Sequence, residues 1–135
     1  MTQENKELLL KDLCARVYYQ IKVLYNGNVK EIQYVEPLYN EVKLLDTGNY
    51  TIDISDIKPY LRPLGSMTDE EREEYRKFSY YGAAGVRPYT HGDFVAVPSF
   101  EKMDWLNSHY FDYRGLIPKG LALPAPEGMY NFKTE

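Results

Sequence analysis

Two histidine–aspartate pairs are the residues of this sequence whose types could do chemistry. His91 lies two positions before Asp93, and His109 lies three positions before Asp112. An imidazole beside a carboxylate can transfer a proton or help to bind a metal ion. The two histidines are isolated from each other along the chain, whereas zinc ligands are usually paired at short spacing. We therefore expect no metal and no cofactor, and we keep a catalytic or small-ligand pocket built from these four residues as an alternative function.

Other catalytic patterns in the sequence are weak. Cys14 is the single cysteine, and we expect it to be a small core residue on an apolar helical stripe. The small-residue run from Gly82 to Gly85 lacks the Lys-Ser/Thr pair of a phosphate-binding loop. There is also no GxSxG motif that would place a nucleophilic serine. These observations favour a protein that is not an enzyme.

Composition and charge narrow the class of protein further. The chain has 135 residues, a net charge of −4 and 14 tyrosines, and its length predicts a single domain over residues 1–135. Scattered Lys and Arg in an acidic chain argue against nucleic-acid binding, although exposed rings such as Tyr18 keep single-stranded nucleic acid as a second alternative. The N-terminus lacks a basic signal region and no long apolar run occurs, so we expect a cytoplasmic protein without membrane contact.

Aromatic residues in an irregular segment are the best candidates for protein binding. Residues 79–92 combine tyrosines with Gly, Ser and Thr, which is the composition of antibody-like binding loops. Trp105 projects away from the apolar face of its predicted helix, so either a second layer such as the C-terminal coil covers it or it anchors a partner. An ordered loop with buried rings is the alternative for residues 79–92. The candidate partner-binding residues are Tyr80, Tyr81, Arg87, Tyr89, Trp105 and Tyr113.

The first half of the chain predicts a helix followed by two hairpins. A helix over residues 3–15 is capped by Thr2. Its apolar stripe, expected to pack on a sheet, consists of Leu9, Leu10, Leu13, Cys14 and Val17. Asn26-Gly27 predicts a type I′ turn. That turn sets Tyr25 opposite Asn28, Ile21 opposite Ile32 and Tyr19 opposite Tyr34. Segments 41–45 and 50–54 predict a second hairpin, in which a bulged loop of odd length brings Val42 and Leu44 onto one face with Ile52 and Ile54.

The second half of the chain predicts two helices and an ordered coil. The prolines of residues 56–64 argue against a paired strand there. Thr68 and Glu71 form a capping-box pattern that starts a helix. A further helix over residues 100–109 has a predicted core face of Phe100, Met103, Leu106 and Tyr110. Together these elements predict an α+β fold: a four- to five-stranded antiparallel sheet, which could curl into a partly open barrel, with an N-terminal helix and two helices in the C-terminal half.

Three segments, residues 6–16, 56–71 and 104–130, carry a resemblance. They resemble a group of short uncharacterised proteins encoded by gut Bacteroides-type bacteria and by their phages and mobile elements. The group usually continues the first helix with Leu-Pro-Tyr-Gly, where this chain has Val17-Tyr18-Tyr19-Gln20. The resemblance implies a cytosolic accessory protein of phage or mobile-element origin, and it assigns no site residue. We therefore expect a small non-enzymatic protein that binds a protein partner.

Overall fold

The computed structural model describes residues 1–78 and 100–130. Its helices are α1 (Gln3–Arg16), α2 (Asp69–Arg76) and α3 (Phe100–Ser108). Its strands are β1 (Lys22–Tyr25), β2 (Asn28–Glu36), β3 (Glu41–Leu44), β4 (Ile52–Asp53), β5 (Lys58–Leu61) and β6 (Leu123–Pro124). The strands form one open sheet in the order β4-β3-β2-β1-β5-β6, in which β6 runs parallel to β5. The α+β class is confirmed, but the sheet is mixed and has more strands than we expected.

Local signals at the starts of α1 and α2 act as the sequence predicts. The Thr2 hydroxyl oxygen accepts the Asn5 N–H at 3.1 Å and so caps α1. At α2, the Thr68 hydroxyl oxygen accepts the Glu71 N–H while the Glu71 carboxylate accepts the Thr68 N–H, which completes the capping box. Among the described residues no helix is both long and apolar enough to cross a membrane.

The first hairpin has the predicted turn and register. Asn26 and Gly27 have φ values of 51° and 77°, the positive φ that a type I′ turn requires at both central residues. Tyr25 is paired with Asn28, and the Ile32 N–H donates to the Ile21 carbonyl oxygen at 3.0 Å. The predicted alignment of the two apolar faces is therefore confirmed up to Ile32.

Beyond Ile32 a bulge reverses the alternation of β2. Ile32 lies opposite Leu44 but Tyr34 lies opposite Lys43, so the register shifts by one residue between them. Val35 therefore packs against the core, and Tyr34 points outward with 43% of its surface exposed. The predicted pairing of Tyr19 with Tyr34 is wrong for two reasons. The bulge turns Tyr34 outward, and Tyr19 lies in a 3₁₀ turn before β1.

The second hairpin keeps the predicted parity but is shorter. Val42 of β3 pairs with Ile52 of β4, and both side chains are buried. Ile54 is buried too, but it begins a 3₁₀ turn (Ile54–Asp56) instead of extending the strand.

The buried face of α1 differs from the predicted stripe. Leu9, Asp12, Leu13 and Arg16 are buried, at the spacing of one helix face, whereas Cys14 is exposed. The prediction of Cys14 as a core residue is wrong. Asp12 and Arg16 are buried as an ion pair, so the helix face that carries them is the one that points toward the core. The main core joins α1 to the sheet through Leu9, Leu13, Ile21, Val23, Ile32, Val42, Leu44, Ile52, Ile54, Ile57 and Leu61.

Strand β5 forms despite its proline. Val23 pairs with Pro59 and Leu24 with Lys58 on one side, and β6 pairs with Tyr60 and Leu61 on the other. Each side of β5 thus uses only two residues, so the missing N–H of Pro59 removes little of the ladder. The prediction that this segment stays unpaired is wrong.

The hydroxyl group of Tyr130 bridges β1 and β5 where the two strands diverge. It accepts the Lys22 N–H at 3.0 Å and donates to the Tyr60 carbonyl oxygen at 2.8 Å. These are backbone groups just beyond the last β1–β5 pair, so the phenol replaces a ladder interaction. Burial raises the pKa of Tyr130 far above its ordinary value, which keeps the hydroxyl a donor. Its ring stacks on Tyr110 at 3.7 Å between centroids.

We expect Tyr130→Phe to lower the free energy of unfolding by about 1–3 kcal/mol, because it leaves backbone groups of both strands without a partner. Urea denaturation would measure the change. The matched control is Tyr18→Phe, since Tyr18 is 84% exposed and its hydroxyl makes no such bridge. Equal stability of the two variants would contradict the bridging role.

Candidate functional site

The structure describes only some of the predicted site residues. Trp105, Tyr113, His109 and Asp112 lie within residues 100–130. The remaining candidates fall outside the described residues: Tyr80, Tyr81, Arg87, Tyr89, His91 and Asp93.

Trp105 is buried, with 7% of its surface exposed. The aromatic rings packed around it come from α2 and from the chain after α3, and they form what we call the Trp105 cluster: Tyr75, Phe78, Trp105, His109 and Phe111. This burial fits the second-layer alternative, and the layer combines Tyr75 of α2 and Phe78 with Phe111 of the coil that follows α3. The predicted core face of α3 is confirmed at Leu106 and Tyr110, which are buried. It is wrong at Phe100, which is 91% exposed, because Lys102 and Trp105 turn inward instead.

Lys102 connects α3 to the end of α2. Its side chain is buried, its Nζ donates to the Phe78 carbonyl oxygen at 3.1 Å, and the same Nζ lies 4.4 Å from the centre of the Tyr75 ring. A buried ammonium group of this kind needs such a carbonyl and ring to offset its lost hydration. Phe78 is the last described residue before residues 79–99, and α3 starts directly after them. The two points where that segment joins the described fold are therefore held together.

His109 is engaged within the Trp105 cluster. Its ring stacks on Trp105 with centroids 4.1 Å apart. Its Nδ1 lies 2.9 Å from the Trp105 carbonyl oxygen and 3.1 Å from the Ser108 Oγ. These contacts are those of a residue that closes a helix end.

Asp112 closes a different turn. Its two carboxylate oxygens accept the N–H groups of Leu116 at 2.8 Å and Ile117 at 2.9 Å, and the residue is buried. Both oxygens therefore serve the backbone after α3. Within residues 1–78 and 100–130, no group of three or more His, Cys, Asp or Glu side chains is placed to hold a metal ion.

A buried ion pair that sequence reasoning missed joins α1 to the chain after α3. Arg16 binds the Asp12 carboxylate through Nε at 2.8 Å and through Nη2 at 3.1 Å, and both side chains are fully buried. The same Nη2 donates to the Phe111 carbonyl oxygen at 2.6 Å, and Arg114 Nε reaches Asp12 at 3.2 Å. The available signal was an Asp and an Arg four positions apart on the side of α1 that carries Leu9 and Leu13.

Tyr113 belongs to this buried network. Its ring lies 5.0 Å from the Arg16 guanidinium carbon and 5.2 Å from that of Arg114. Its hydroxyl donates to the Asn107 side-chain oxygen at 2.7 Å. The half-buried ring thus contacts both arginines, so less of it is available to a binding partner than we expected.

A second ion pair borders the Trp105 cluster. The two terminal nitrogens of the Arg62 guanidinium, Nη1 and Nη2, donate to the Glu71 carboxylate at 2.9 and 2.7 Å. The same guanidinium lies over the Phe111 ring, 4.2 Å from its centre. Burial acts to raise the pKa of Glu71, but hydrogen bonds from Arg62 and the Thr68 N–H, with the Arg62 charge, outweigh it and hold that pKa below its ordinary value.

One groove of the described surface runs beside this ion pair. It has a volume of about 380 Å³, and Ser66 and Thr68 supply hydroxyl groups to its wall. The Ser66 hydroxyl donates to the Pro63 carbonyl oxygen at 2.6 Å, and the Thr68 oxygen caps α2. Both hydroxyls are thus engaged in local hydrogen bonds, and among the described residues that line the groove there is no histidine or cysteine.

We expect Asp12→Asn to destabilise the protein by about 3–5 kcal/mol, because it leaves the Arg16 guanidinium buried without a counter-charge. Chemical denaturation followed by the fluorescence of Trp105, the single tryptophan, would measure this. Glu73→Gln, which removes the exposed partner of Arg76 at 2.6 Å, is the control and should change little. Similar effects of the two variants would contradict the importance of the buried pair.

The Arg62–Glu71 pair predicts a dependence of stability on pH. A carboxylate whose folded pKa is lowered stabilises the fold above its unfolded pKa, about 4.3 for Glu, and loses that contribution as the pH falls through the folded pKa. The difference in unfolding free energy between the wild type and Glu71→Gln should therefore be constant near neutral pH and shrink in acid. A difference that stays constant into acid would argue against the assignment.

The candidate site is thus a structural support, called the base below, that α2 and α3 form through the Trp105 cluster and Lys102. Residues 79–99 connect to the described fold at this base. No protein-family model, curated protein or solved structure matches this chain.

Proposed function

We propose that this protein is a small non-enzymatic accessory protein that binds another protein through residues 79–92. The observation that carries the proposal is the Lys102 contact with the Phe78 carbonyl oxygen, which holds together both attachment points of residues 79–99. Binding loops are typically carried in this way, with variable chain between fixed ends on a packed scaffold.

The composition of residues 79–92 supports the choice of a protein as the ligand. Tyr80, Tyr81 and Tyr89 offer large amphipathic rings with few rotatable bonds, and Arg87 adds a cation that can pair with a carboxylate. These four residues lie outside the described residues, so their part in binding remains a prediction from the sequence.

Trp105 has a different part in this proposal from the one expected at first. Its indole supports the base on which the binding segment is mounted, because the rings of Tyr75, Phe78 and Phe111 pack around it. The partner would then contact the segment and not the indole.

The setting of the protein is proposed from the resemblance alone. Residues 6–16, 56–71 and 104–130 favour a cytosolic protein of phage or mobile-element origin. The alternative of a His–Asp pocket gains no support, since the described half of it, His109 and Asp112, is engaged by backbone groups.

Affinity purification of the full chain from its native host, with mass spectrometry, tests the proposal. We expect a stoichiometric protein partner that the triple variant Tyr80→Ser/Tyr81→Ser/Tyr89→Ser loses. The control is Tyr18→Ser, an equally polar change at an exposed tyrosine of the 3₁₀ turn after α1. Unchanged Trp105 fluorescence in the triple variant would show that the base is intact.

Two results would count against this function. One is a partner that the triple variant retains as well as the wild type does. The other is the recovery of no stoichiometric protein from the native host under conditions where the chain is folded.

A further inference from the structure

The outward face of β2, β3 and β4 carries a row of acidic side chains. Val35, Val42 and Ile52 point toward the core. Their neighbours along the strands, Glu36 and Glu41, are directly paired, and Glu41 is paired in turn with Asp53. Residues paired across a sheet point to the same side with Cβ atoms close together, so three carboxylates stand side by side.

This row is electrostatically unfavourable to the fold, because like charges directly opposite each other repel. Glu41 accepts the Thr51 hydroxyl at 2.6 Å. Hydrogen bonds from the side chain and N–H of Ser55, together with the charge of Lys6, hold the pKa of Asp53 below its ordinary value. Both interactions favour the charged carboxylate, so Asp53 contributes a negative charge near neutral pH.

Large apolar side chains stand next to the acidic row. The 3₁₀ turn that joins β2 to β3, Pro37–Tyr39, presents Leu38 at 83% exposure and Tyr39 at 67%. Pro37 fixes the start of the turn, and Asn40 ends it with a φ of 55°. Tyr34 lies two positions before Glu36 and points outward because of the bulge in β2.

The lysine that the register places on this face bonds away from the row. Lys43 lies opposite Tyr34, but its Nζ folds back onto the Leu44 carbonyl oxygen at 2.6 Å and the Gln33 side chain at 3.2 Å. The charge of Lys6 does act on Asp53, but one lysine against three carboxylates leaves the row with net negative charge beside the exposed apolar groups.

We propose that Tyr34, Leu38 and Tyr39, bordered by Glu36, Glu41 and Asp53, form a docking surface for a protein segment that carries lysine or arginine beside an apolar side chain. Charge complementarity selects this occupant, since basic side chains would relieve the repulsion within the row while the apolar one covers Leu38 and Tyr39. The chain's own tightest basic group, Arg72, Arg76 and Lys77, is interleaved with acids, which disfavours a second copy.

This surface goes beyond the proposed function and does not depend on it. It is made of described residues on the sheet, whereas the proposed function uses residues 79–92. The two can therefore fail separately, and each has its own set of variants.

A random-peptide display library selected on the immobilised full chain tests the surface. We expect the enriched peptides to combine Lys or Arg with Leu, Phe or Trp. Synthetic versions of them should lose about tenfold or more in affinity, by fluorescence anisotropy, with Leu38→Ser/Tyr39→Ser and with Glu36→Gln/Glu41→Gln. Their affinity should also fall as salt rises.

Matched controls separate the surface from general changes. Tyr18→Ser removes an equally exposed ring, and Glu70→Gln/Glu74→Gln removes the same charge from exposed positions of α2. Both should bind the peptides as the wild type does, and so should the triple variant of Tyr80, Tyr81 and Tyr89.

Three outcomes would overturn the proposal. The first is enrichment of peptides without basic residues, or of none at all. The second is peptide binding that the two surface variants leave unchanged. The third is a dimer in sedimentation velocity that Leu38→Ser/Tyr39→Ser disperses, which would assign the face to a second copy.

Discussion

The buried contact of Arg16 with Asp12 and the Phe111 carbonyl oxygen is the interaction on which the rest of the structure depends. A guanidinium without water must be matched by acceptors in fixed positions. One acceptor lies on the same helix and the other lies 95 residues further along the chain. The pair therefore fixes the rotation of α1 and the path of the chain after α3 in one arrangement.

Phe111 links the two hydrophobic clusters of the molecule. Its carbonyl oxygen serves the charged group beneath α1, while its ring stacks on Trp105 and lies under the Arg62 guanidinium. Its neighbours Tyr110 and Asp112 bond the backbone of Arg62 at 2.7 and 2.8 Å. The base of the proposed binding segment is thus attached to the sheet through three consecutive residues, which gives it a defined position relative to α1.

Features set by neighbouring residues could be predicted from the sequence, and features set by distant ones could not. The Asn26-Gly27 turn, the Thr2 cap and the Thr68–Glu71 box each depend on groups within a few positions of one another. Helical spacing counts apolar residues alone, so it predicts Cys14 and Phe100 on buried faces. In the structure, Asp12, Arg16 and Lys102 are buried in their place by partners that the spacing does not reveal.

The same reasoning applies to the sheet and to the candidate surfaces. A bulge in β2 exposes Tyr34, and a hydroxyl from residue 130 bridges β1 and β5 beyond their last pair. Neither feature can be predicted from the alternation of apolar and polar residues along the strands. The acidic row arises only from the register of β2, β3 and β4, since Glu36, Glu41 and Asp53 are unremarkable when read along the chain.

The order of the sheet has a consequence for aggregation. β5 ends at Leu61, but the strand that pairs its far side begins at Leu123. Whenever β6 is detached, β5 is an open edge of the sheet, and open edges recruit strands from other chains. Lys58 and Pro59 are the residue types that discourage such pairing. The proline that breaks the expected strand pattern of β5 is thus also a residue type that makes this edge a poor template for another chain.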